Sequence, residues 1–371
     1  MTLGSSATGL VWLFPAAAAP AALLALAFTA LALRVAPRLG YVDRPGAHKS
    51  HQRVTPYGGG VAIFLAAGVT FLAALAAAFA VPPEQLARLF GSTVEPYLGG
   101  MRDELRPTLA LAAGGVALFV LGIIDDIRAL GPYVKLAVML GAALLAATAG
   151  ETRLAWIAGP SASLLLTVLW ITTITNAFNF LDNMDGLSAG VALICGAFLV
   201  ACGAMAGQVL VPLAGSVLCG AIAGFLVFNF PPARIFMGDA GSLLLGYTLS
   251  VLAIRTSYYD SGSGLPPFTL AMPLAVLAVP LYDFASVVVI RLSEGRNPLR
   301  GDQRHFSHRL VQRGLDKRSA VLTIYLATAT TGLAATLLPG AGPREALTVV
   351  AVVGLVLAIV AILEAPLRKS E

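Results

Sequence analysis

The sequence predicts an all-α polytopic membrane protein of about eleven transmembrane helices, a single integral membrane domain over residues 1–371. Three observations predict it. Apolar runs of about 18 residues or more recur along the whole chain, and that length of helix crosses a hydrocarbon core of roughly 30 Å. Only 12% of the residues are charged, so the connections between runs leave no room for a sizeable soluble domain. Lys and Arg are concentrated in alternate connections, the pattern expected when a membrane sorts loops by side.

In order, the runs cover about 10–34, 58–81, 108–124, 132–149, 161–179, 187–206, 208–229, 241–257, 268–290, 319–338 and 345–363. The first is read as a retained anchor rather than a secretory signal, because no basic segment precedes it and Arg34 and Arg38 follow. In span two the Ala-rich tract Ala73–Ala80 suits close packing through small residues. The connection Pro82–Pro107, with Glu84, Arg88 and Glu95, is mildly amphipathic and suits a short interfacial helix. Span three closes on Asp125-Asp126, and Gly131-Pro132 restarts the chain with proline in the first turn of span four. Spans six and seven are divided only near Gly207, and Ser257–Pro267 reads as a turn. All four histidines, His48, His51, His305 and His308, lie in the two long polar connections Val35–Tyr57 and Leu292–Arg318. No internal repeat argues for an inverted-repeat transporter.

Of the 24 basic residues, all but Arg88, Arg102, Arg106, Arg153, Arg255 and Arg344 follow odd-numbered spans. That asymmetry predicts an outer N-terminus and a cytoplasmic C-terminus in the cell membrane. Three acidic clusters then share the cytoplasmic face: Asp125-Asp126, Asp182 with Asp185, and Asp239. The net charge of +5 suits anionic headgroups and phosphate-bearing substrates, and no soluble basic module is present to read nucleic acid. Cys195, Cys202 and Cys219 fall inside apolar spans without a CxxC pair and are expected to be small core residues.

A carboxylate at membrane depth is costly, which makes each cluster a functional candidate. Asp125 and Asp126 differ by about 100° on a helix, so they share a target best at a helix end. A solvated terminus balanced by Arg128 is the plainer reading. Lys135, one turn into span four, is placed to hold a phosphate as a point charge. In Asn176-Ala-Phe-Asn179-Phe-Leu-Asp182-Asn183-Met-Asp185-Gly186, i,i+3 spacing puts Asn179 with Asp182 and Asp182 with Asp185 on one face. The segment should end or kink near Asn183 to Gly186. Asp239 follows a backbone broken by Pro231, Pro232 and Gly238, where it serves as a helix cap or a metal ligand on a rigid turn. His305, His308 and Arg309 can bind pyrophosphate by charge-assisted hydrogen bonds, unless they are a solvated basic loop. Asp283, inside span nine, is a further costly carboxylate whose partner is Arg291 or a neighbouring helix.

With these residues in hand, the chain resembles the polyprenyl-phosphate N-acetylhexosamine-1-phosphate transferases of glycosyltransferase family 4. It is most similar to the bacterial branch acting with N-acetylglucosamine-1-phosphate and undecaprenyl phosphate. The resemblance spans about residues 40–320 and is carried by five motifs in order: Asp43 to Gly60, Asp125-Asp126 with Lys135, Asn176 to Gly186, Asn229 with Phe236 to Ser242, and Asp283 with Asp302 to Arg309. His48, Asn183 and Ser307 depart from the family's common Arg, Gly and His, which bears on sugar specificity and on the part each histidine plays.

The resemblance implies transfer of a sugar phosphate from a UDP-N-acetylhexosamine to undecaprenyl or another polyprenyl phosphate, with release of UMP. It implies Mg²⁺, with Mn²⁺ as a substitute, held by Asp239 and Asp182. It assigns catalytic roles to Asp125, Asp126, Asp182, Asp185, His305 and His308. Substrate-binding roles fall to Lys49, Lys135, Asn176, Asn179, Asn229 and Arg309. The lipid bilayer is a partner, nucleic acid is not, and homodimerisation is left open. Rival readings are the lipid-I transferase of peptidoglycan synthesis, whose three-histidine run and first-loop Thr-Met-Gly-Gly are missing, and an ion-coupled transporter, which would set its acids near the bilayer midplane.

Overall fold

The computed structural model describes residues 5–43, 54–82, 85, 104–154, 159–256, 271–297, 304–338 and 341–365. Helices α1 (Ser5–Val35), α2 (Gly59–Ala80), α3 (Leu105–Ile127), α4 (Pro132–Ala147), α5 (Pro160–Leu181), α6 (Leu187–Met205), α7 (Leu210–Asn229) and α8 (Asp239–Arg255) follow the predicted spans one to eight. Span nine is broken at Leu277 into α9 (Met272–Val276) and α10 (Ala278–Ser293). After the short α11 (Phe306–Gln312) come α12 (Lys317–Ala335) and α13 (Pro343–Glu364). The one sheet among the described residues is a two-stranded antiparallel pair, β1 (Val42–Asp43) with β2 (Thr55–Pro56), in register Val42 to Pro56 and Asp43 to Thr55.

Among the described residues, seven helices are long and apolar enough to cross a membrane: α2, α3, α5, α6, α7, α13 and α1 over Leu13–Val35. Their outer faces remain apolar, with Val227 66% and Ile362 72% exposed, as a lipid-facing surface requires. Hydrocarbon gives such helices no hydrophobic reason to associate, so close packing must do it. Gly220 and Gly224 of α7 lie directly against the backbone of α1 at Ala18 and Ala22, where any Cβ would collide.

Helix α8 is the axis of the bundle. It packs against α2, α3, α5 and α6, and most of its residues are buried. Its start is fixed by other backbones: Gly60 of α2 abuts Gly241, and Gly122 of α3 abuts Ala240. The N–H groups of Gly59 and Gly60 donate to Phe236 O and Met237 O at 3.0 and 2.9 Å, and Phe236 N donates to Pro56 O at 2.9 Å. The irregular turn between α7 and α8 is therefore stitched to the segment that follows β2. An irregular backbone at this depth persists because protein, not lipid, surrounds it.

Candidate active site

The ends of α3, α5 and α7 and the starts of α4, α6 and α8 meet at one end of the bundle. Helix α5 stops at Leu181 and α6 resumes at Leu187, with Gly186 at φ 70° in the left-handed region, so the expected break between Asn183 and Gly186 is present. Gly238 also has positive φ, 76°, and a Cβ there would strike the Asp126 carboxylate. Glycine at 238 is thus what lets α3 and the start of α8 approach each other.

The two adjacent aspartates of α3 diverge. Asp126 accepts the Asp239 N–H at 2.7 Å and, more weakly, that of Ala240 at 3.4 Å, and Tyr41 O–H donates to it at 2.7 Å. A carboxylate from α3 thereby takes up free N–H groups at the α8 N-terminus, where the helix dipole also favours it. Asp125 turns the other way. It accepts the Leu130 N–H at 2.7 Å and pairs with Lys135 Nζ at 2.7 Å. The same ammonium reaches Asp239 Oδ2 at 2.6 Å. Lys135 thus bridges α3 and α8 from α4, a position its proline-started first turn sets.

Lys135 also lines a polar cavity of about 350 Å³ with Asn176, Asn179, Asp182, Asn183, Arg291 and His305. Asn179 donates to Ser242 Oγ at 3.0 Å, tying α5 to α8. Asn176 spends its amide on Thr172 O at 2.9 Å. Asn183 donates to Phe180 O at 2.7 Å and accepts the Ser307 hydroxyl at 2.6 Å, so two of the three residues that depart from the family pattern are bonded to each other. The pKa of Asp182 is raised well above the carboxylate range by burial first, then by the charges of Asp239, Asp126 and Asp185. His305 packs edge-on against Phe180 at 5.7 Å between ring centres.

Several predicted residues stand behind this cavity rather than on its wall. Asp185 accepts the Ala233 N–H at 3.0 Å. Asn229, 4% exposed, accepts the Gly186 N–H at 3.0 Å and donates to Ile235 O at 2.8 Å. These two pin the α5–α6 break to the α7–α8 turn. Arg309 points to Ser286 Oγ at 2.8 Å and Glu364 at 2.9 Å, joining α11 to α10 and α13. His308 neighbours His305 and Lys317, and its pKa is lowered by burial first and then by their charge. Asp283 bonds to His305 and to the Phe306 backbone. Lys49 lies outside the described residues.

Arg291 and Tyr41 are functional candidates that motif reading did not single out. Arg291 is 1% exposed, yet its guanidinium sits 4.9 Å over the Phe180 ring on the cavity wall. Its position at the end of an apolar span was the available signal. Tyr41 carried none, because only the fold brings it to Asp126.

The donor set fits a hard divalent cation. Asp125 and Asp239 share one ammonium, and the charge of Asp239 bears on both Asp126 and Asp182. No group of three or more acidic, His or Cys side chains among the described residues forms a metal cage. Mg²⁺ asks for none, since it takes one or two carboxylates and fills its shell with phosphate and water oxygens.

Residues 108–257 match the model of glycosyl transferase family 4. The chain is 32% identical over 317 residues to the probable undecaprenyl-phosphate N-acetylglucosaminyl 1-phosphate transferase of Bacillus subtilis, covering 82% of this chain and 79% of the relative. It is 32% identical over 325 residues to the decaprenyl-phosphate N-acetylglucosaminephosphotransferase of Mycobacterium tuberculosis, covering 79% and 74%. With the undecaprenyl-phosphate alpha-N-acetylglucosaminyl 1-phosphate transferase of Escherichia coli K12 it shares 27% identity over 316 residues, 81% of this chain and 77% of the relative.

Proposed function

The chain belongs to glycosyl transferase family 4, and on that premise we propose that it transfers N-acetylglucosamine-1-phosphate from UDP-N-acetylglucosamine to undecaprenyl phosphate. An oxygen of the carrier phosphate attacks the sugar-linked phosphorus. The bond from that phosphorus to the oxygen bridging it to UMP breaks, and UMP leaves with the electron pair. The observation that carries the reading is Lys135, whose one ammonium joins Asp125 to Asp239 at the wall of the polar cavity.

Two anionic reactants must meet, so positioning and charge compensation matter more than proton abstraction. Lys135 and Arg291 supply fixed positive charge beside the cavity, and His305 presents its imidazole there. Asn176 and Asn179 offer amide oxygens, and Asn179 a second N–H, to the donor nucleotide or sugar. Asp126 fixes the backbone of Asp239 through the α8 N-terminus, while Asp185 and Asn229 hold the two turns in register. Asp239 and Asp182 would hold Mg²⁺, which supplies charge neutralisation at the phosphate oxygens when bound. Following the basic residues, we place this site at the cytoplasmic face of the cell membrane, with about eleven spans, an outer N-terminus and a cytoplasmic C-terminus.

The test is UMP release by purified protein given undecaprenyl phosphate and Mg²⁺ with a panel of UDP sugars that includes UDP-N-acetylmuramoyl-pentapeptide. Release with UDP-N-acetylglucosamine, abolished by EDTA, restored by Mg²⁺ and cut at least about 10²-fold in Asp239→Asn, is expected, the order seen when an electrostatic stabiliser of charge is removed. Release only with the muramoyl donor would assign the lipid-I reaction instead. No release with any N-acetylhexosamine donor, and an Asp239→Asn variant indistinguishable from wild type, would refute the proposal.

A further inference from the structure

Asp283 has no solvent exposure and no part in the phosphoryl transfer as read above. Both of its oxygens meet the start of α11: Oδ2 lies 2.9 Å from His305 Nδ1, and Oδ1 accepts the Phe306 N–H at 3.0 Å. A backbone N–H can only donate. A carboxylate that accepts through both oxygens satisfies the two contacts together, which places the imidazole proton on Nδ1. Nε2 is then the nitrogen left for a ligand, and His305 is on the cavity wall. The ring is further confined by the edge contact with Phe180, and its exposure is only 4%.

We propose that Asp283 is the positioning residue of His305. It keeps the proton on Nδ1 whether the ring is neutral or charged, so that Nε2 alone faces the substrate, as a donor to a phosphate oxygen when the ring is charged and as a proton acceptor when it is neutral. The same carboxylate caps α11 by taking up the Phe306 N–H. Helix α11 has an independent anchor farther along, where Arg309 meets Ser286 and Glu364, so the helix does not depend on Asp283 alone. The assignment rests on reading the cavity as the phosphoryl-transfer site, but its central claim concerns a tautomer and needs no turnover to be examined.

The experiment is ¹⁵N NMR of histidine-labelled protein in detergent, with the His305 signals assigned by their loss in His305→Gln. Wild type is expected to show Nδ1 protonated. Asp283→Asn, whose amide can donate to Nδ1, is expected to shift His305 toward the Nε2–H form. Its kcat for UMP release should fall about 10- to 100-fold, the order found when the partner orienting a functional histidine is removed, with KM for the UDP sugar nearly unchanged. On the His305→Gln background the Asp283→Asn loss should vanish, because the two residues act as one unit. An Nε2–H tautomer of His305 in wild type would overturn the proposal, whatever the variants do. So would an unchanged tautomer in folded Asp283→Asn, or an equal activity loss on both backgrounds. Asp283→Glu keeps the carboxylate and should keep the Nδ1–H form; a shift there also counts against it. Absence of UMP release by wild type removes the reaction reading and leaves the tautomer measurement decisive for Asp283.

Discussion

Replacing Lys135 with Met removes the one ammonium that Asp125 and Asp239 share. At contacts of 2.7 and 2.6 Å, each pair has a gross attraction of about 6 kcal/mol at an effective dielectric of 20. Desolvation cancels most of this. Loss of one partner from a buried pair costs about 3–5 kcal/mol, and the side chains here keep 13–25% exposure, which screens the charges. A stability loss of about 1–3 kcal/mol follows. The effect on rate should be larger, because the cation sits where two phosphates must approach; removing a comparable electrostatic group costs about 10²–10³ in kcat. Lys135→Arg keeps the charge but not the point-like geometry and should fall between the two. The apparent Mg²⁺ requirement should fall along with the rate: with the competing cation gone from Asp239, half-maximal activity should need less metal. UMP release against Mg²⁺ concentration, with size-exclusion behaviour as the folding control, measures all three. A folded Lys135→Met enzyme within about threefold of wild type, or one that needs more Mg²⁺, would refute this account of the bridge.

Asn229→Leu should leave the Gly186 N–H and the Ile235 carbonyl unpaired in a buried setting, at about 1–3 kcal/mol each, and lower the melting midpoint along with activity. Activity lost at full stability would instead put Asn229 on the substrate. His308 has a pKa lowered by burial, so the folded protein binds fewer protons there than the unfolded chain does. Its stabilising contribution is complete above the unfolded value of about 6.5 and is lost as pH falls through that value toward the folded one. The melting midpoint of His308→Gln should therefore decline less steeply than that of wild type between about pH 7 and pH 5; parallel curves would contradict this.

Much of the architecture was legible because hydrocarbon allows so few solutions. A run of about 18 apolar residues in lipid has to satisfy its own backbone, and helix is the local way to do so. The predicted spans accordingly land on helices, and the breaks at Pro132, Gly186, Gly207 and Gly238 fall where Pro and Gly marked them. Span nine was read as one helix because its apolar run is continuous, yet the chain turns at Leu277. Pro280 marks that break, because it has no N–H to donate to the Val276 carbonyl four residues back and its ring crowds it.

By itself the sequence determined which residues have to be accounted for: carboxylates, a lysine and histidines that a membrane would not carry without purpose. Which of them touch was decided by tertiary packing. Asp125 and Asp126 are neighbours in sequence, yet one turns to Lys135 and the other caps α8, because glycines at 60, 122 and 238 let three backbones close on Asp239. Asp182 and Asp185 share a motif, yet the end of α5 at Leu181 sends one to the cavity and the other to Ala233. Spacing along a chain fixes directions only while the helix continues. At helix ends, where this site is built, the partner is chosen by whichever backbone N–H or charge the neighbouring element brings within reach.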